Sequence, residues 1–170
     1  GSAMAATTWF AIFTGSLAYS YYHDLVSISS RTLGISYLIL VLLMLIIVMA
    51  LPNVRKKYHN AFEKTHRFGG WSVLILFWGQ TFCLADDLNP QTSFSSSMLT
   101  SYSFWALVIV TFSILLPWLR LRRVPVEIVT PSSHVALLKF DYGVTPFAGS
   151  STAISTNPLM EWHHFANVPS

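Results

Sequence analysis

Residues 33–71 read "LGISYLILVLLMLIIVMALPNVRKKYHNAFEKTHRFGGW", an apolar run joined directly to the densest positive charge in the chain. The first 19 residues, Leu33 to Leu51, hold only Ser36 in place of the polar stripe that a soluble helix carries. At ~1.5 Å per residue they reach roughly 28 Å, close to the ~30 Å hydrocarbon core of a bilayer. Pro52 ends the run. Arg55, Lys56, Lys57, Lys64 and Arg67 follow, half of the ten cationic residues, with His59 and His66 among them. The stretch reads as a transmembrane helix and its wet edge. The histidines raise a second question, whether that edge meets a cofactor.

Composition agrees with a membrane protein. Hydrophobic residues make up 53% of the 170 and charged residues 10%, and the mean hydropathy is +0.53. A soluble domain carries about 25% charged residues. The length is too short for many spans plus a complete soluble domain. The single Cys83 excludes a disulfide framework within the chain. The opening GSAM reads either as a cloning remnant ahead of Met4 or as the cut edge of a longer protein.

Three further segments are expected to span. Trp71–Ala85 reaches membrane length if its helix starts near residue 65, giving a span of about 66–85. Met98–Leu119 is long enough alone, with Pro117 and Trp118 near its end. Met4–Tyr22 is diluted by Thr7, Thr8, Thr14, Ser16 and Ser20, small hydroxylated residues that suit helix–helix contact or, in the other reading, an interfacial segment. The loop around Asp86 and Asp87 carries no Lys or Arg, whereas Arg120, Arg122 and Arg123 follow the last span. By the positive-inside rule the cationic faces are cytoplasmic, and "HDLVSISSR", with Arg31 alone, lies outside. About four transmembrane helices (4–22, 33–51, 66–85, 98–119) with both termini cytoplasmic satisfy every loop, within a helical domain of residues 1–123.

The tail obeys a different pattern. Val124, Val126 and Ile128 alternate with polar or turn residues, as do Ala136, Leu138 and Phe140. Such period-two runs, broken by Pro131, Gly143, Pro146 and Gly149, read as strands. A turn at Asn157-Pro158 precedes another from Trp162 to Val168. About four strands come from residues 124–170, fewer than a small closed barrel needs.

Three stretches carry a resemblance: "LPNVRKKYHNAFEKTHRFGGW" (51–71), "LPWLRLRRVPVEI" (116–128) and "FDYGVTPFAGS…PLMEWHHFA" (140–166). The first resembles the membrane domain of the ferric reductase and NADPH oxidase superfamily, with Arg55, Tyr58, Phe62, Thr65 and His66 in the pattern's order. All three together resemble a fungal group of integral membrane flavoproteins related to ferric reductases (TmpA-like). The resemblance implies that residues 124–170 are the start of a ferredoxin-reductase-type, FAD-binding barrel in a longer parent that also holds an NAD(P)H-binding domain. It implies that His163 lies near the flavin diphosphate, that His164 stands where the family has proline, and that Phe165 packs on the isoalloxazine ring. Ala166 departs from the pattern by lacking a hydroxyl for the ring edge. His66 becomes a haem-iron ligand, the one metal-binding residue the resemblance supplies.

Spacing tests the haem. Bis-histidine ligation needs two imidazole nitrogens roughly 4 Å apart across one iron. His59 and His66, seven positions apart on one helix, are separated by about 10 Å. The superfamily's second ligand falls thirteen or fourteen positions on, at Gly79 or Gln80 here. His23 belongs to the opposite face. A haem therefore requires a histidine from a longer parent.

Two readings follow. In the first, the chain is part of a membrane oxidoreductase passing electrons from a nicotinamide cofactor through flavin toward an acceptor at or across the membrane. In the second, it is a non-catalytic member of that family acting in assembly or signalling. A transporter is disfavoured because no acidic residue interrupts the expected spans. The expected partners are the lipid bilayer and further domains of a longer parent, not nucleic acid.

Overall fold

The structure is a computed structural model that describes residues 2–88, 91, 93–132, 135–141, 143, 147, 149–159 and 162–167. It divides into two compact units, Gly1–Leu116 and Pro117–Ser170. The chain is mostly helical, with a few short antiparallel strands. Its elements are α1 (Ser2–Tyr22), α2 (Ser30–Ala50), α3 (Pro52–Lys57), α4 (His59–Leu88), α5 (Phe94–Thr100) and α6 (Tyr102–Leu119). The strands are β1 (Glu127–Ser132), β2 (Val135–Lys139), β3 (Ser151–Ile154) and β4 (His163–Ala166).

Among the described residues three helices are long and apolar enough to cross a membrane: α2, α4 and α6. The expected count of four becomes three because α1, though 21 residues long, carries too many hydroxyls. Those hydroxyls fold back on the helix: Thr8 donates to the Met4 carbonyl at 3.0 Å, Thr14 to Phe10 at 2.9 Å and Ser16 to Phe13 at 2.7 Å. Thr7, Thr14 and Leu17 form its buried face, a small-residue surface that lets α1 lie close to α2.

The α2/α4 pair organises the first unit. Thr32, Leu33, Ser36 and Ile39 are buried at helical spacing on α2, and Val73, Leu74 and Gln80 on α4. Gly69 makes the approach possible, since a Cβ there would stand 3.2 Å from both Cγ1 and Cδ1 of Ile46. Leu17, Ile28 and Leu33 form a second small core with Tyr21 and Leu84 against it.

Two boundaries correct the sequence reading. Helix α4 begins at His59 and continues through Asp86 and Asp87, so those aspartates belong to a helix end and not to the loop assigned to them. The 98–119 span is broken: Ser101 is extended (φ −81°, ψ 121°), and its N–H closes α5 on the Met98 carbonyl at 3.0 Å. Trp105 Nε1 then donates to the Leu99 carbonyl across the break at 3.0 Å. Against α4, α6 is fixed by a bond from Trp78 Nε1 to Thr111 Oγ1 at 3.1 Å and an edge contact of Trp78 with Phe104.

The second unit holds two separate antiparallel hairpins, β1–β2 and β3–β4. Strand β1 starts at Glu127, so Val124 and Val126 precede the strand expected to include them. Its register pairs Ile128 with Leu138, then shifts between Val129 and Ser132, where Pro131 cannot donate to a ladder. The expected turn at Pro146 and the Val168 end of the last strand lie outside the described residues, as do Asn89, Pro90 and Thr92 of the Asp-bearing loop.

Candidate functional site

The histidine edge and the β4 strand were the two places where sequence located chemistry, and each lies within its own unit. His59 and His66 both sit on α4, seven residues apart on one continuous helix, which keeps them about 10 Å apart along its axis. His59 Nδ1 is 3.8 Å from Glu63 Oε1, one turn on, with both side chains well exposed. His66 stacks on Phe62 (ring centroids 5.7 Å, 27°), and the Arg55 guanidinium covers the same ring at 5.3 Å. Arg55, Phe62 and His66 thus form a cation–aromatic–imidazole cluster at the junction of α3 and α4.

Helix α4 is 30 residues long, about 45 Å, against a hydrocarbon core of ~30 Å. The charged turns at its start, ahead of Trp71, are the part that belongs outside that core. His66 is therefore a residue of the basic edge, and its ring is exposed. Gln80, at one of the positions where the family pattern would put a second ligand, is buried and donates through Nε2 to Ser36 Oγ at 2.6 Å. Among the described residues no group of three His, Cys, Asp or Glu converges as a metal site. His59 and His66, both on α4, cannot ligate one iron together.

The β3–β4 hairpin carries His163, His164, Phe165 and Ala166. Phe165 pairs with Thr152, His164 with Ala153 and His163 with Ile154. Strand alternation puts His163 and Phe165 on one face and His164 and Ala166 on the other. All four are exposed, Phe165 to 44%. Asn167 locks the open end of the hairpin. Its N–H donates to the Ser150 carbonyl at 3.1 Å, its Nδ2 donates to Ser150 Oγ at 2.8 Å, and its Oδ1 accepts from Thr152 Oγ1 at 2.7 Å. Gly149, at φ +82°, turns the chain into β3. At the other end Trp162 donates Nε1 to the Pro158 carbonyl at 2.9 Å and meets Trp118 edge to face. An aromatic ring and an imidazole side by side on an accessible strand can stack on a planar heterocycle and donate to an anionic group.

A polar network at the far end of α2 and α4 escaped the sequence reading. One Asp87 oxygen accepts from the Ser29 N–H (2.9 Å), Ser29 Oγ (3.0 Å) and Thr32 Oγ1 (2.6 Å). Ser29 is also the N-cap of α2, accepting from the Thr32 N–H at 3.3 Å. The detectable signal was a Ser29-x-x-Thr32 step immediately before an apolar run, which reads as a helix start.

Comparison with known proteins finds two fungal relatives along nearly the whole chain. Adenylate-forming reductase 06235 of Coprinopsis cinerea is 40% identical over 169 residues, and adenylate-forming reductase 03009 of the same fungus is 39% identical over 170 residues. Each match covers 99% of this chain but only 16% of the relative, so the chain spans about a sixth of the proteins it matches. No protein-family profile matches the sequence, and no solved structure matches it.

Proposed function

We propose that the chain is the membrane-embedded segment and adjoining β segment of a reductase-type flavoprotein, with the basic edge on the cytoplasmic side. The observation that carries this reading is the exposed face of β4, where His163 and Phe165 stand two residues apart, in a chain that also holds membrane-length helices. The reductase names of relatives that match the chain nearly end to end support it. The ferric-reductase-like assignment, with electrons arriving from NAD(P)H and leaving toward a membrane acceptor, rests on the sequence motifs.

In this reading Phe165 stacks on the isoalloxazine of FAD and His163 donates toward its diphosphate. A bound flavin would supply the step from two-electron hydride acceptance to single-electron release. His164 and Ala166, on the other face of β4, contribute nothing to that stacking surface. No step passes through a haem.

The test is an absorbance spectrum of the detergent-purified protein, both as the 170-residue chain and as any longer product of its gene. Dithionite-reduced and oxidised states are compared. Bound flavin that is lost in Phe165→Ala is the expected result. A reduced-minus-oxidised haem signal abolished by His66→Ala would replace this reading with a haem-bearing one. Absence of any chromophore in both forms would remove the oxidoreductase reading. The second reading, a non-catalytic family member, is favoured specifically by Ala166, which leaves a flavin ring edge without a hydroxyl, and by Gln80 in a ligand position.

A further inference from the structure

An apolar groove of about 450 Å³ runs between α1, α2 and α4, within the size range of small-molecule sites. Its walls include Ala6, Phe10 and Phe13 of α1, Leu43 and Ile46 of α2, and Phe77 of α4. Phe10 and Phe77 meet edge to face at 5.2 Å and tie α1 to α4 along it. Trp9, on the rim, is 72% exposed.

The groove has a direction. It uses the N-terminal half of α1 and the C-terminal half of α2, so it lies toward the end at which α2 runs into α3. Ala3 to Phe13, its extent along α1, corresponds to about 15 Å, half of a ~30 Å hydrocarbon core. Ile46 and Ile47, also on its wall, sit within one turn of the end of α2. Arg55, Lys56 and Lys57 occupy the last turn of α3 directly beyond. A slot about one leaflet deep, at the end of α2 from which the cationic turn of α3 continues, matches one kind of molecule in length and in charge.

We propose that this groove holds one acyl chain of an anionic phospholipid of the adjacent leaflet, with its phosphate headgroup on Arg55, Lys56 and Lys57. A zwitterionic lipid satisfies the groove but not the cations, and a soluble anion satisfies the cations but not the groove. A second copy of the chain or another helix would fill the groove without any dependence on headgroup charge.

The experiment uses the whole chain in nanodiscs of zwitterionic lipid doped with brominated lipid of either anionic or zwitterionic headgroup. Trp9 quenching is read as the difference between the protein and Trp9→Phe. Bulk lipid contact quenches without regard to headgroup, so the preference is the signal. Anionic lipid should be favoured about fivefold or more, since each cation near the surface contributes on that scale. Arg55→Gln/Lys56→Gln/Lys57→Gln should abolish the preference, while Ala6→Leu, which narrows the groove and keeps the cations, should reduce quenching by either lipid. Equal quenching by both headgroups in the unaltered protein overturns the proposal. So does an Ala6→Leu variant of unchanged helicity that is quenched as before.

Discussion

Gln80 and Ser36, both buried, meet across the α2/α4 interface, Nε2 to Oγ at 2.6 Å. Ser36 in turn donates to the Thr32 carbonyl at 2.8 Å, so the serine hydroxyl is both donor and acceptor and the pair is a short relay between helices. Interhelical bonds of this kind contribute on average about 0.6 kcal/mol and up to about 2. Gln80→Ala should therefore destabilise the helix pair by about 1 kcal/mol. A double-mutant cycle with Ser36→Ala, followed by unfolding in mixed detergent, should return a coupling energy of the same order. Additive single effects would mean that the bond contributes nothing.

Gly69 and Ile46 set the helix separation. Alanine at 69 gains about 1 kcal/mol in helix propensity but crowds two Ile46 atoms at 3.2 Å, and overpacking costs about 1–3 kcal/mol. Gly69→Ala should be neutral to mildly destabilising, Gly69→Leu clearly destabilising. Gly69→Ala/Ile46→Ala should recover the propensity gain relative to Ile46→Ala alone. Thermal unfolding of the four variants beside the unaltered protein separates these outcomes.

Asp87 caps a helix that is not its own. Asp87→Ala removes the acceptor for three hydrogen bonds from Ser29 and Thr32, and loss of a cap costs about 0.5–2 kcal/mol. Hydrogen exchange should quicken at the amides of Ser29 to Leu33 while the centre of α2 stays protected. Unchanged exchange at Ser29 would show that water replaces the carboxylate fully.

Asn167→Ala should loosen β3–β4 by about 1–2 kcal/mol, since it removes two side-chain bonds at the hairpin end. If His163 and Phe165 hold a flavin, its retention through detergent purification should fall in step, although residue 167 is outside the stacking face. A fully flavin-loaded Asn167→Ala protein would separate the hairpin's order from cofactor binding.

The parts of the fold that were legible in sequence are those fixed by continuous apolarity or strict alternation. Leu33–Leu51 identified α2, and the alternation around "WHHFA" identified β4. Helix α4 was underestimated at both ends because His59, Lys64, Arg67, Asp86 and Asp87 are polar. Hydropathy detects what lies in hydrocarbon, not where backbone hydrogen bonding stops. The break at Ser101 was hidden for the opposite reason, since side chains on both sides of it remain apolar and only the local backbone departs from a helix. Strand β3, in the Gly/Ser-rich stretch before Ile154, had too little pattern to stand out and is defined by its pairing with β4. Of the two chemical locations, His163 and Phe165 were singled out by the family resemblance, and their shared face comes from the alternation of β4. The ring stack beneath His66 depended on how α3 enters α4.

Among the described residues each hairpin of the second unit is a sheet of two strands, so each strand has a side outside that sheet where another extended chain can add. Detergent covers an apolar helix but does not cap a strand edge. Self-association of this protein in excess detergent is therefore expected to involve β1–β4. It should rise with protein concentration at constant detergent excess.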